Sequence, residues 1–221
     1  MSQDPAPQLA EALSRSGAVV KVDAVARATG GLSQETWLVD IWADTDRYKA
    51  VLRLPTRASS SRAISTQRAA LQAVAGTATP TPAVLWWDDD ADNPLGRPFL
   101  VMERIDGAIP AGWHELPEGE RVSLGEQAME SLAALHAAEV AVTGPAGDLD
   151  RPDGDPAEAE LAWYRDRIHR FGGSHPVLSA ALWWLERHLP PPPARLSLVH
   201  NDYRMGNFVI SGGTLRAVLD W

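Results

Sequence analysis

Apolar and polar positions alternate through most of the first hundred residues and then give way to a longer period. Residues 8–16 have helical composition, and residues 19–28 alternate with apolar and β-branched side chains, which predicts a short helix leading into a strand. Gly30-Gly31-Leu32-Ser33 breaks the pattern. Trp37, Val39 and Ile41 then share one face of residues 36–43, Asp44-Thr45-Asp46 makes a turn, and residues 48–54 alternate again. Three consecutive antiparallel strands are expected. Residues 59–75 place Ile64, Gln67, Ala70 or Leu71, and Val74 at helical spacing, and Gly76 with Thr79-Pro80-Thr81-Pro82 stops that helix. Residues 83–87 and 98–104 read as two more strands around Asp88-Asp89-Asp90 and Asn93-Pro94.

After Asp106-Gly107 the period changes from two to about 3.6. Helices are expected over 121–138, where Leu124, Ala128, Leu132 and Leu135 fall on one face, and over 155–171 and 176–189. Pro190 to Pro193 stiffens an extended linker, which leads to a polar loop and a hairpin of 208–210 and 215–219 around Ser211-Gly212-Gly213. The pattern gives an α+β chain. Its first part, 1–106, is a lobe of five antiparallel strands with one inserted helix, and its second, 107–221, is mainly helical.

With 221 residues and 45% apolar content, the chain can bury a sizeable core. There is no cysteine, which removes disulfides, thiolate metal sites and a cysteine nucleophile. The net charge of −9 speaks against general binding to nucleic acid. No basic segment followed by an apolar one opens the chain, and no run approaches the roughly 20 apolar residues of a membrane span, so a cytoplasmic protein is expected. Lys21 and Lys49 are the only lysines, which leaves phosphate contacts to arginine.

The chemistry concentrates near the end. His200-Asn201-Asp202-Tyr203-Arg204-Met205-Gly206-Asn207 has the form H-x-D-x-x-x-x-N, and the hairpin after it returns Asp220. Phosphoryl transfer asks a protein mainly to position groups and neutralise charge: one carboxylate receives or orients the attacking hydroxyl, and hard oxygen donors hold magnesium against the nucleotide phosphates. A loop carrying Asp202 and Asn207, closed by a hairpin bearing Asp220, supplies two carboxylates and an amide oxygen around one point. Taken singly, each is an ordinary turn residue; the ordered set is what points to this chemistry. A metal-dependent phosphohydrolase using His200 and Asp202 is a different reading, but it asks for further clustered histidines. His114, His136, His169, His175 and His188 show no paired spacing.

The segment resembles the catalytic loop of the aminoglycoside phosphotransferase and choline kinase superfamily, L-V-H-G-D-Y-R-x-G-N followed by V-L-D-W-E. Here Leu198 to Asn207 and Val218-Leu219-Asp220-Trp221 match at nearly every position. Gly30-Gly31-Leu32-Ser33-Gln34-Glu35-Thr36 is similar to the family's phosphate loop G-G-x-S-x-x-T, Ala50-Val51-Leu52-Arg53 to its third strand, residues 98–104 to the strand entering the hinge, and Leu132-Ala133-Ala134-Leu135-His136 to its L-A-x-L-H helix. The resemblance implies a two-lobed, protein-kinase-like fold that passes the γ-phosphate of ATP, or GTP, to a hydroxyl of a small molecule. It implies Asp202 as catalytic base and Asn207 and Asp220 as Mg²⁺ ligands. Gly30, Gly31, Ser33 and Arg53 would meet the phosphates, and Glu103 and Ile105 the adenine.

Three departures stand out. The helix residue expected as Glu, paired with the phosphate-binding cation, is Gln67, so a hydrogen bond replaces an ion pair. Asn201 stands where the family usually has Gly. Family members also continue past D-W-E through further helices, which implies a C-terminally truncated chain with weak or no activity by itself. A non-catalytic kinase-like module that binds nucleotide or a partner is the alternative. The resemblance leaves the acceptor open among aminoglycosides, choline-like alcohols, sugars, macrolides and hydroxyacyl thioesters, and the oligomeric state open as well.

Overall fold

In the computed structural model of the chain, the residues described are 4–15, 17, 19–28, 34–56, 62–138, 149, 151–170 and 175–221. Helix α1 (Ala6–Ser14) precedes three strands, β1 (Val20–Arg27), β2 (Gln34–Ala43) and β3 (Asp46–Pro55). Helix α2 (Arg62–Val74) and strands β4 (Val84–Asp88) and β5 (Phe99–Glu103) follow. The five strands form one antiparallel sheet in the order β1-β2-β3-β5-β4. Between β2 and β3 the chain turns on two residues, and Asp44 takes the left-handed conformation (φ 53°) that a short polar side chain tolerates there.

Strand alternation sends successive side chains to opposite faces. Trp37, Val39, Ile41, Ala50, Leu52, Leu54, Phe99 and Val101 pack with Leu9 and Leu13 of α1. Leu100 and Met102 pack on the other face with Ile64 and Leu71 of α2, beside Val51 and Trp221. Arg53 has the parity of Val51, so it emerges on the α2 face. The sheet therefore sits between two helices, with α1 packed on the face opposite the inserted α2.

Helix α3 (Glu118–Ala137) packs on the hairpin of β6 (Phe208–Ser211) and β7 (Thr214–Val218). It begins three residues before the expected start, behind Pro117, because the polar Glu118-Gly119-Glu120 turn carries no apolar signal. Leu116, Leu124 and Ala128 meet Phe208, Ile210, Leu215 and Val218. The Gln127 amide fixes the register of this contact: Nε2 donates to the Gly213 carbonyl and Oε1 accepts from the Leu215 amide, both at 3.0 Å.

The chain groups into two compact units, Met1–Leu149 with Ser197–Trp221, and Asp150–Leu196. The second is a helical pair, α4 (Pro156–Arg170) and α5 (Pro176–Glu186), joined by an ion pair between Arg165 and Glu186. Among the described residues no helix is long and apolar enough to cross a membrane.

Leu52 is fully buried in the centre of the sheet. Leu52→Ala should lower the stability of its unit by about 2–5 kcal/mol, while Lys21→Ala on the surface should change it by less than about 0.5 kcal/mol. Urea midpoints compared at constant slope measure both.

Candidate functional site

The loop from Ser197 to Asn207 gains its shape from His200, which is buried. Its ring Nε2 lies 2.8 Å from the Leu219 carbonyl, and its Nδ1 lies 3.2 Å from the Asp202 amide. A carbonyl only accepts and an amide N–H only donates, so the ring carries its proton on Nε2. Tyr203 and Trp221 meet this ring edge-on, with centroids at 5.8 and 4.5 Å. Asn201, between His200 and Asp202, has φ 64°. That left-handed geometry is what glycine adopts freely, and asparagine is the side chain that enters it next most readily.

Asn207 ends a short 3₁₀ turn, Met205–Asn207, and is buried. Its Nδ2 donates to the backbone carbonyl of Asp202 at 2.9 Å and to Asp202 Oδ2 at 3.0 Å. The amide nitrogen is thereby committed, and Oδ1 is left as the donor atom for a cation. Arg204 reaches the same carboxylate from the other side, its Nε 3.0 Å from both Oδ1 and Oδ2 of Asp202. Hydrogen bonding from Arg204, then from Asn207, holds the Asp202 carboxyl below the usual carboxylate range. Gly206 makes room for the arginine: a Cβ there would fall 2.3 Å from Arg204 Nη1.

The hairpin brings Asp220 back. Gly212 and Gly213 turn it at φ 57° and 69°, and Phe208 pairs with Val218. The Leu219 amide then donates to the Asn207 carbonyl at 2.7 Å, and the Val218 amide to the Pro80 carbonyl at 2.8 Å. Asp220, at φ 65°, is half-exposed and meets Arg53, whose Nη2 lies 3.1 Å from its Oδ1. Arg53 Nε donates to Gln34 Oε1 at 2.5 Å.

Asp202, Asn207, Asp220 and Arg53 are thus linked into one site by direct or single-residue steps. Glu103 ends the interior strand β5, and Ile105 lies just past it, neither of them bonded to this set. Glu103 pairs with Ala50 in the ladder, its amide donates to Ala83 O at 2.8 Å, and Ile105 is half-buried just beyond. Gly30, Gly31 and Ser33 lie outside the described residues. The expected bond between Gln67 and Arg53 is not formed: Gln67 is buried and its Oε1 has no hydrogen-bond partner among the described residues, while Gln34 holds Arg53 instead. Sequence reasoning gave Gln34 and Arg204 no role. Gln34 depends on strand register, whereas the D-x-R spacing of Arg204 was in plain view.

Among the described residues no three His, Cys, Asp or Glu side chains group to hold a metal ion. The oxygen donors at hand, Asn207 Oδ1 and the Asp220 carboxylate, suit magnesium, which binds through one or two carboxylates and shares the rest of its shell with phosphates and water.

Comparison with known proteins gives a family and a fold. The profile of the phosphotransferase enzyme family matches residues 24–221. Acyl-CoA dehydrogenase family member 11 of Gallus gallus is 30% identical over 146 residues, 64% of this chain and 18% of that protein. Its Rattus norvegicus counterpart is 29% identical over 149 residues, with the same coverage of 64% and 18%. Among solved structures, a Ralstonia eutropha protein assigned to the aminoglycoside phosphotransferases superposes with a TM-score of 0.69 at 24% identity, over 96% of this chain and 63% of that one. The streptomycin–ATP ternary complex of APH(2″)-IIa gives 0.65 at 19% identity, over 100% and 71%. The match covers less than a fifth of the curated relatives' length, and the solved structures share the fold.

The left-handed backbone at Asn201 is open to test. Asn201→Gly should leave the thermal midpoint unchanged or raise it, and Asn201→Val should cost about 1–2 kcal/mol. Calorimetry on the two variants reads the difference.

Proposed function

The chain belongs to the phosphotransferase enzyme family, and from that premise we propose that it transfers the γ-phosphate of ATP, or GTP, to a hydroxyl group of a small molecule. One observation carries the reading: Asp202, Asn207 and the Leu219-Asp220 step are hydrogen-bonded onto a single loop-and-hairpin frame, and Arg53 reaches that frame from the sheet. In this proposal residues 1–106 form the nucleotide-binding lobe, and residues 107–221 carry the catalytic loop and metal-binding hairpin. The setting is cytoplasmic.

Each side chain has a task its environment suits. Asp202, ionised and held on two sides by Arg204 and Asn207, accepts the proton of the acceptor hydroxyl as that oxygen attacks phosphorus. Arg53 offers a planar guanidinium to the α- and β-phosphates, which it can meet through two N–H groups at once. Gly30, Gly31 and Ser33 would present backbone amides and a hydroxyl to the same phosphates, and Glu103 and Ile105 would border the adenine. Asn207 and Asp220 would hold Mg²⁺, which when bound neutralises charge on the phosphate oxygens.

A second reading, a nucleotide-binding module without transfer, is favoured by one feature: Asp202 and Asp220 are each already paired with an arginine. The acceptor is best found by screening. Streptomycin is named with one neighbour and acyl-CoA with the curated relatives, so the screen should span aminoglycosides, macrolides, choline-like alcohols, sugars and hydroxyacyl thioesters.

Asp202→Asn separates the two readings. For an enzyme it should cut turnover by about 10²- to 10⁴-fold while nucleotide affinity changes by less than about twofold, as measured by coupled assay and calorimetric titration. Full turnover in Asp202→Asn would remove Asp202 from the base role, and Mg²⁺-dependent nucleotide binding with no transfer to any acceptor would favour the module.

A further inference from the structure

We infer that Gln34 is the residue that positions Arg53 for the nucleotide phosphates, a task that helix α2 would otherwise supply through position 67. The inference rests on the phosphotransferase reading above, since it concerns how that site holds its cation. Three features of the structure converge on it.

The first is register. Thr36 is the cross-strand partner of Arg53, and Gln34 lies two residues along β2 from Thr36, opposite Pro55. Residues two apart in a strand share a face, and diagonal neighbours across an antiparallel pair come within reach of long side chains. Gln34 and Arg53 therefore stand side by side on the α2 face, and their contact of 2.5 Å needs no movement of either strand.

Burial is the second. Gln34 is 8% exposed and the Arg53 side chain 16% exposed, so water competes little for this hydrogen bond. A hydrogen bond to a charged donor in such a place is among the stronger ones. It also fixes the guanidinium plane: Nε is held by Gln34 and Nη2 by Asp220, while Nη1 has no partner among the described residues.

The third is the side chain that does not take part. Gln67 is 2% exposed, and its Oε1 has no partner among the described residues, although it occupies the position where the resemblance sets the cation's partner. An amide acceptor on β2 has taken over the orienting role. Because Gln34 is neutral, it orients Arg53 without adding a second counter-charge to the one that Asp220 already supplies.

The test uses the full chain and three substitutions. Gln34→Met keeps the side chain's length and removes its acceptor, Gln67→Met does the same on α2, and Arg53→Met removes the cation. The Arg53 Nε–H signal in ¹H–¹⁵N spectra, assigned by its loss in Arg53→Met, should sharpen or vanish according to the pairing, and ATP and GTP titrations should give affinities. Gln34→Met is expected to lose the protected Nε–H signal and to weaken nucleotide binding about tenfold, with KM for nucleotide rising more than kcat falls because the α- and β-phosphates are not the reacting group. Gln67→Met should keep both signal and affinity. In the Arg53→Met background, Gln34→Met should cause no further loss, which is the mark of a residue acting through Arg53.

Wild-type affinity in Gln34→Met, or an equal loss with Arg53 already replaced, would overturn the inference and leave Gln34 a packing residue. A larger loss in Gln67→Met would return the role to α2 and overturn it as well. If the unmodified chain binds neither ATP nor GTP, the phosphotransferase reading fails and takes this inference with it. That outcome is distinguishable, because it appears before any substitution is made.

Discussion

The His200 ring touches the Leu219 carbonyl with one nitrogen and the Asp202 amide with the other, at 2.8 and 3.2 Å. Residues 202 and 219 lie on separate segments, the loop and the end of the hairpin, and among the described residues no other side chain reaches the backbone at both. The arrangement requires a neutral ring with its proton on Nε2, because a second ring N–H would face the Asp202 amide donor. Around this ring the other contacts fall into place. Trp221 lies against it and returns its own indole N–H to the Val218 carbonyl at 2.9 Å, and Tyr203 meets its edge and donates its hydroxyl to Ala128 of α3 at 2.8 Å. The two acidic residues of the site owe their relative placement to an imidazole that itself performs no step of the proposed transfer.

The hairpin is the second element of that frame, and it is held at both ends. Ala108 and Ile210 exchange backbone hydrogen bonds at 2.8 Å each, and the Val218 amide reaches Pro80 in the connection between α2 and β4. Pro80 has no donor of its own but a free carbonyl to offer, so a segment that reads from sequence as a helix stop also serves as an anchor.

Much of the fold was legible because the sheet is half-buried on each face in alternation. Trp37, Val39 and Ile41, and after them Ala50, Leu52 and Leu54, mark their strands with a period of two, and the structure has them all on the α1 face. The loop from His200 to Asn207 was legible because its residue types keep an order. Other features depend on quantities that a linear pattern lacks. Which side chain Arg53 meets follows from the β2–β3 register, which sets Gln34 rather than Gln67 beside it. The start of α3 was hidden by a polar first turn, and the left-handed turn at Asn201 is a backbone property that only the substitution of asparagine for glycine hinted at.

Two arginines lie against the two aspartates of the site, Arg204 on Asp202 and Arg53 on Asp220. Each aspartate therefore has a counter-charge within the chain. In the proposed reaction Arg53 would leave Asp220 to meet the nucleotide phosphates, and Asp220 would then be free to hold magnesium. One ion pair within the chain is given up for two contacts with the ligand, so binding follows a difference of electrostatic terms and not their sum. Dissolved salt weakens both sides of that exchange. The pair already present within the chain therefore offsets part of the salt dependence that the ligand's own contacts would give.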